Sequence, residues 1–352
     1  MSDLKINNIT DRTGDSGPVI AGVSTVTSTG AFTVPVGPTE MRGGRGRGVF
    51  AGGYSNSPVN FTSTMDYVEI ATTANATDFG DLSVKRYNVS GCASATRGLF
   101  MGGQGAPGTL YNTIDYVTIS SGGGASDFGD LNTFGSTNGK VQAGAVTSNN
   151  TRGLYLGGHS PDTTAGSGGR QDIIQFITIA STGDASDFGD LTVYSQASQA
   201  CSSPTRAVRG AGAGNPANQQ VIDYVTIATL GDAVHFGELK TLLGLFPMSL
   251  SSTTRGIFAG GLNPSNLNNI EYVTIATLGN ATDFGDLTTA RYGPGGSSNQ
   301  TRGLFGGGGT PTKVNTIDYI TIASTGNATD YGDLSEIRVT LAGCSDSHGG
   351  LG

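Results

Sequence analysis

The side chains able to do chemistry are few and scattered. Three histidines (His159, His235, His348) and three cysteines (Cys92, Cys201, Cys344) occur among 352 residues. A protein metal site needs several such ligands converging, and cysteine ligands usually come in closely spaced pairs. The histidines fall at different points of the chain and no C-x-x-C is present. An odd cysteine count without paired spacing also argues against a disulfide framework. G-x-S-x-G, H-E-x-x-H and phosphate-loop patterns do not occur. Carboxylates are plentiful in a recurring acidic tag, DFGDL. A glycosidase needs two of them about 5–10 Å apart in one cleft, whereas these are spread evenly along the chain. The expectation is no catalytic residue, cofactor or metal.

What positions these residues is a repeat. Arg47, Arg97, Arg152, Arg206, Arg255 and Arg302, each in a TRG or GRG context, recur at steps of 50, 55, 54, 49 and 47 residues. Each is followed by an IDYVTI phrase, with its aromatic at Tyr67, Tyr116, Phe176, Tyr224, Tyr272 and Tyr319. Each phrase is followed by the tag, with its aromatic at Phe79, Phe128, Phe188, Phe236, Phe284 and Tyr331. A period near 50 marks a repeat architecture.

Every unit reads as four short strands: a loosely apolar run such as 84–95, then RGLFMGG, then IDYVTIS, then the tag. Leu99 and Met101 would face one way and Phe100 the other, so the second strand is apolar on both faces. Such a strand belongs to a sheet covered on both sides, and blades around an axis provide that cover. This order of strands resembles the kelch repeat, except that the chain has no tryptophan; the tag aromatic is expected in its place. The fold class is therefore all-β: a six-bladed kelch-like β-propeller over 42–352 with an extended N-terminal arm. The first unit lacks its first strand, and the C-terminal GCSDSHGG aligns with GCASATRG of the second unit. Residues 336–345 are expected to pair into blade 1 and remove the open edge.

Gly-Asn and Gly-Asp pairs between the third strand and the tag read as tight turns. The tag aspartates are expected to accept backbone N–H bonds there or to pair with the TRG arginine of a neighbour; turn capping is preferred to calcium binding. Asn75, Asn280 and Asn327 lie in N-x-S/T triplets in the same turn and read as turn chemistry rather than glycan acceptors. The cysteines share one slot of the innermost strand and read as small buried thiols lining the axis.

The connections divide the molecule into two faces. From the third strand to the tag there are seven residues in every unit; from the second strand to the third there are between 8 and 15. Blade 3 carries both long insertions, 132–150 and 159–173. Variable loops on a rigid scaffold are where recognition usually lies, so His159, Asp162, Arg170, Asn138 and Lys140 are candidate partner contacts. Arg209, where other units carry Phe or Tyr, is a sixth; with His235 it could form a polar site, though a local ion pair or a water-facing rim is preferred.

Glycine and proline make up about a fifth of the chain, charged residues 13%, and the net charge is −8. No phosphate-neutralising surface is readable, so nucleic acid is not an expected partner. No window of about 18 apolar residues suggests membrane insertion, and the start lacks a signal-peptide pattern. Residues 1–41 carry short alternating runs without the apolar mass to fold alone, which suits a docking arm that adds to another chain.

LKINNITDRTGDSGPVIAGVSTVTSTGAFTVPVGPTE in this arm, together with the IDYVTIATxGNATDFGDLT repeats, resembles virion structural proteins of tailed marine cyanobacterial phages. The resemblance implies a non-enzymatic virion component (tail fibre, appendage or decoration) held to other virion proteins through residues 1–41. It would be present as a homo-oligomer or in many copies, and attach to a host-surface glycan or protein. The alternative is a cellular kelch-type carbohydrate- or protein-binding module.

Overall fold

The computed structural model describes residues 46–56, 59–105, 108–132, 141–160, 169–214 and 217–351. The expected arm, 1–41, lies outside the described residues. Residues 42–352 form one compact unit containing six four-stranded antiparallel sheets. The second sheet is representative: Ser90–Ala93 innermost, then Arg97–Met101, Thr113–Thr118, and Ser126–Asp130 outermost. The first sheet takes its inner strand from the C-terminus, Ala342–Ser345, with Val49 opposite Cys344 and Phe50 opposite Gly343. The architecture is a six-bladed β-propeller.

The hydrophobic core lies between blades. One cluster joins Leu99, Ile114 and Phe128 of blade 2 to Val146, Tyr155 and Ile177 of blade 3. Another joins Val208, Ile222 and Phe236 of blade 4 to Phe258, Val273 and Ile275 of blade 5. Burying each such side chain contributes about 1.5–3 kcal/mol, and here that gain exists only when two blades meet. This is why the second strands are buried on both faces.

Hydrogen bonds fix the blade-to-blade register at two radii. Near the axis, the residue two positions before each inner strand adopts left-handed φ: Asn88, Ala143, Ala197, Phe246, Gly293 and Thr340, at 50–61°. Each N–H donates to the carbonyl of its counterpart in the preceding blade at 2.6–3.1 Å, and the sixth bond closes the circle from Asn88 to Thr340. Five of these residues are not glycine, and left-handed φ costs about 1–2 kcal/mol for each. The circle of bonds holds them there.

At the rim, the tag phenylalanine is the extra residue of a β-bulge: Ile114 faces Gly129 and Asp115 faces Asp127, passing over Phe128. The bulge bends the outer strand toward the next blade. There the turn that was read as a local hairpin grips its neighbour. Gly183 N–H donates to Phe128 O at 2.8 Å, Ala185 N–H to Asp130 O at 2.8 Å, and Asp130 N–H to Asp184 Oδ1 at 3.0 Å. The approach is so close that a Cβ on Gly129 would stand 2.5 Å from the Gly183 backbone. The alanine-to-tag bond recurs at all six interfaces, including Ala76 to Asp333 at 2.7 Å across the chain ends. The tag aspartates therefore act through their main chain, which corrects the expectation that their side chains cap the turn.

The inner strands are shorter than the sequence suggested: 90–93 within the run 84–95, and 342–345 within 336–345. The remainder of each run is a connector that carries the left-handed residue. Deleting residues 335–352 removes one inner strand, two links of the axial circle and the buried Arg338–Asp66 pair. The truncated chain is expected to aggregate through the bared second-strand edge. A soluble product with an unchanged melting temperature would contradict the closure.

Candidate functional site

Polar side chains buried between the blades form the most elaborate chemistry in the molecule. The acidic residue of the IDY phrase is fully buried at Asp66, Asp115, Asp223 and Asp318. In three blades an arginine from the connector before the blade reaches it: Arg338 to Asp66 at 2.6 Å, Arg86 to Asp115 at 2.9 Å and Arg291 to Asp318 at 2.8 Å. Each of these arginines lies four residues after the leucine of the tag (Leu82, Leu287, Leu334). The guanidinium also donates to strand carbonyls; Arg86 bonds Gly102 O at 2.8 Å and Thr113 O at 2.9 Å. Burial pulls the basicity of all three arginines down, against the opposing pull of the neighbouring carboxylates.

Blade 4 fills the same site from a different strand. Four residues after Leu191 stands Ser195, which cannot reach Asp223. Arg209 on the second strand, opposite Asp223 in register, supplies the guanidinium instead, 3.6 Å from the carboxylate and 3.4 Å from Val221 O. The residue is 0% exposed. Arg209 is therefore not a partner contact, and the ion-pair alternative describes it. His235, its proposed companion, is exposed on the outer strand while Arg209 is turned into the blade interface. Blade 3 has no buried acid at this slot: Gln175 accepts the Asn132 N–H at 2.7 Å. In blade 5, Glu271 accepts the N–H groups of Lys240 and Thr241, both at 2.8 Å. The connector arginines were missed in the sequence because the run holding them was read as strand. Their fixed distance from the tag leucine was the available signal.

The TRG arginines form a second set. Arg97 lies over the Tyr116 ring, 4.9 Å from its centroid, and donates to Ile179 O of the next blade at 2.9 Å. Arg302 makes the same contact across the chain ends, to Ile70 O at 3.1 Å. Tyr116 in turn meets Phe128 edge to face at 6.0 Å. The repeat aromatic is thus half-buried between an arginine and the tag ring. The expected pairing of this arginine with a tag aspartate does not occur among the described ion pairs; Arg47 pairs instead with Glu69 of its own blade.

The axis holds a cavity of about 80 Å³ lined by inner-strand serines, glycines and backbone. Ligand pockets are commonly about 300–1,000 Å³, so this lumen is small for an organic substrate. The thiols lean away from its centre. Cys92 Sγ lies against Gly153, and Cys344 Sγ against Gly98, each the TRG glycine of the next blade, where a Cβ would stand 3.1 and 3.0 Å from the sulfur. Burial pushes Cys92 and Cys201 up to about 12, and Cys344 well up, so they are poor nucleophiles. Among the described residues no three His, Cys, Asp or Glu side chains converge as a metal set.

On the loop face, the structure brings His159 and Arg170 together. They face each other across a β-bridge at the base of the blade 3 insertion. Burial, then the nearby Arg170 charge, lowers the His159 pKa, favouring a neutral ring at physiological pH. Asp162, Asn138 and Lys140 lie outside the described residues. Blade 3 also has longer outer strands than its neighbours: Gln171–Thr178 has eight residues and Ser186–Ser195 ten, against six and five in blade 2. No family model matches this sequence, and neither does any curated protein.

The movable guanidinium gives a direct test. Arg209→Phe, restoring the usual aromatic, leaves Asp223 buried without a cation and should cost about 3–5 kcal/mol of stability. Adding Ser195→Arg supplies the cation from the usual connector and should recover most of that loss in urea unfolding. A double variant no more stable than Arg209→Phe would show that the site is not interchangeable.

Proposed function

We propose that this protein is a non-enzymatic binding scaffold whose loop face contacts a surface partner. The observation that carries this reading is the contrast between the two faces. The third-to-outer turns are uniform in length because each must grip a neighbouring outer strand. The loop face is free of that duty at its rim, and there blade 3 extends its third and outer strands. A rigid scaffold lowers the ordering cost of binding. The small axial cavity, the protonated thiols and the engagement of buried charges in blade pairing favour scaffold over enzyme.

The sequence resemblance supports a reading in which this scaffold belongs to a phage virion, is held to other virion proteins through residues 1–41 and takes a host-surface glycan or protein as target. The described chain enters at Gly46 beside Ser347, at the start of a second strand and so on the turn face. A mount on that side would leave the loop face, with the strand extensions of blade 3, open to a partner. Shortening 132–150 and 159–173 to the lengths found in blade 6 should preserve folding and particle assembly and weaken adsorption to host cells. Unchanged adsorption with failed assembly would place the mount on the loop face and overturn this orientation.

A further inference from the structure

The second polar circle around the axis, on the turn face, is incomplete. Ser148, Ser202, Ser251, Ser298 and Ser345 end the inner strands of five blades. The Oγ of each donates to the carbonyl of the preceding blade's counterpart: Ser148 to Ala93 at 2.7 Å, Ser202 to Ser148 at 2.6 Å, and Ser251 and Ser298 onward at 2.8 Å. Ser345 donates likewise to Ser298. Blade 2 ends on Ala93, which has no hydroxyl to close the sixth link.

The C-terminal segment enters at that gap. After Ser345 the chain runs through Asp346 and Ser347 into a short 3₁₀ turn, Gly349–Leu351, in which all three residues are buried. His348 stands at Ala93: Nε2 lies 2.9 Å from Ala93 O and 3.3 Å from Ser148 Oγ. Its Nδ1 accepts the Gly350 N–H at 3.1 Å. Gln300 of blade 6 donates to the carbonyls of Ser347 and His348 at 3.3 and 2.9 Å. Gly349 and Gly350 lie so close to the serine circle that a Cβ on Gly350 would overlap the Ser148 carbonyl, and one on Gly349 the Ser252 carbonyl. The segment therefore touches the ends of inner strands from blades 2 to 6.

We propose that residues 346–351 are a stopper for the turn-face end of the axial cavity, separable from the closing strand 342–345 and released by protonation of His348. The donor pattern fixes the imidazole as neutral, with its proton on Nε2 to meet the carbonyl. A proton added at Nδ1 would turn an acceptor into a donor aimed at the Gly350 N–H, and would place a charge at that end.

The surrounding groups offer this charge little compensation. Ala93, Ser148, Ser202, Ser252 and Gln300 bring hydroxyls, carbonyls and an amide. The lumen thiols Cys92, Cys201 and Cys344 stay protonated. On its own segment, Asp346 accepts the Arg47 N–H at 2.9 Å, and burial pushes its carboxyl up. Arg47 and Glu69 pair with each other beyond it. Burial, opposed by the bond to Ala93, lowers the His348 pKa. A base with a depressed folded pKa holds its segment fully above its free value near 6.5 and loses that hold as pH falls through the folded value.

Hydrogen exchange of the full chain, corrected for intrinsic rates, tests this between about pH 7.5 and pH 5. The tail peptide 346–351 should lose protection by about tenfold or more as pH falls, while 342–345 stays protected. His348→Gln, whose amide can still donate to Ala93, should abolish the pH dependence. Gly350→Ala should leave the tail unprotected at both pH values with the strand intact. Tail protection that is independent of pH in the wild-type chain, loss of 342–345 together with the tail, or a protected tail in Gly350→Ala would each overturn the proposal.

Discussion

No blade of this propeller can complete its own structure. The outer strand of each blade is bent by a bulge at the tag aromatic and then held by the turn of the next blade, which sits on the tag glycine at backbone contact. The apolar surfaces of the second and third strands are likewise covered only by neighbours. In most repeat arrays such dependence leaves two exposed ends, and stability becomes a sum of neighbour terms. Here Ala76 bonds Asp333, Asn88 bonds Thr340, and Arg302 reaches Ile70 O. The dependence therefore runs in a circle with no end unit.

That circle decides where the sequence is free to change. Turn-face connections cannot lengthen without losing their grip on the next outer strand, which explains their constant length. At the axis, the serine circle restricts the last position of each inner strand to serine or alanine. Between blades, the buried carboxylate needs donors rather than an arginine at a fixed position, and in blade 5 the N–H groups of Lys240 and Thr241 serve Glu271 without a guanidinium. Blade 4 meets the need from the second strand, and blade 3 removes it by carrying Gln175. The loop face escapes most of these constraints, and the strand extensions of blade 3 lie there.

The sequence makes the number of blades, the strand order and the pairing of the C-terminal strand into blade 1 legible, because hydrophobic alternation and a fixed period report them directly. The interactions between blades are much less legible. Gly129 and Asp184 look like ordinary turn residues until the neighbouring blade is placed beside them, since contacts between repeats leave no mark on local pattern. Arg209 looks like a surface departure because a charge in a strand usually faces water; only the register with Asp223 and the serine at 195 show why it is buried. The thiols of Cys92 and Cys344 share the inner-strand slot as expected, but their lean toward the next blade's glycine depends on the angle between sheets.

A dependence that runs in a circle makes the ring one cooperative unit, and the three free cysteines are natural reporters of it. They are buried in blades 1, 2 and 4, and the thiolate that reacts is suppressed while they remain so. Brief thiol labelling across a urea series, with each site resolved by mass spectrometry, measures when each of these blades opens. The account predicts that Cys344, Cys92 and Cys201 become reactive at one common midpoint, as a two-state transition requires. Three separate midpoints, with blade 4 opening while blades 1 and 2 remain closed, would contradict it.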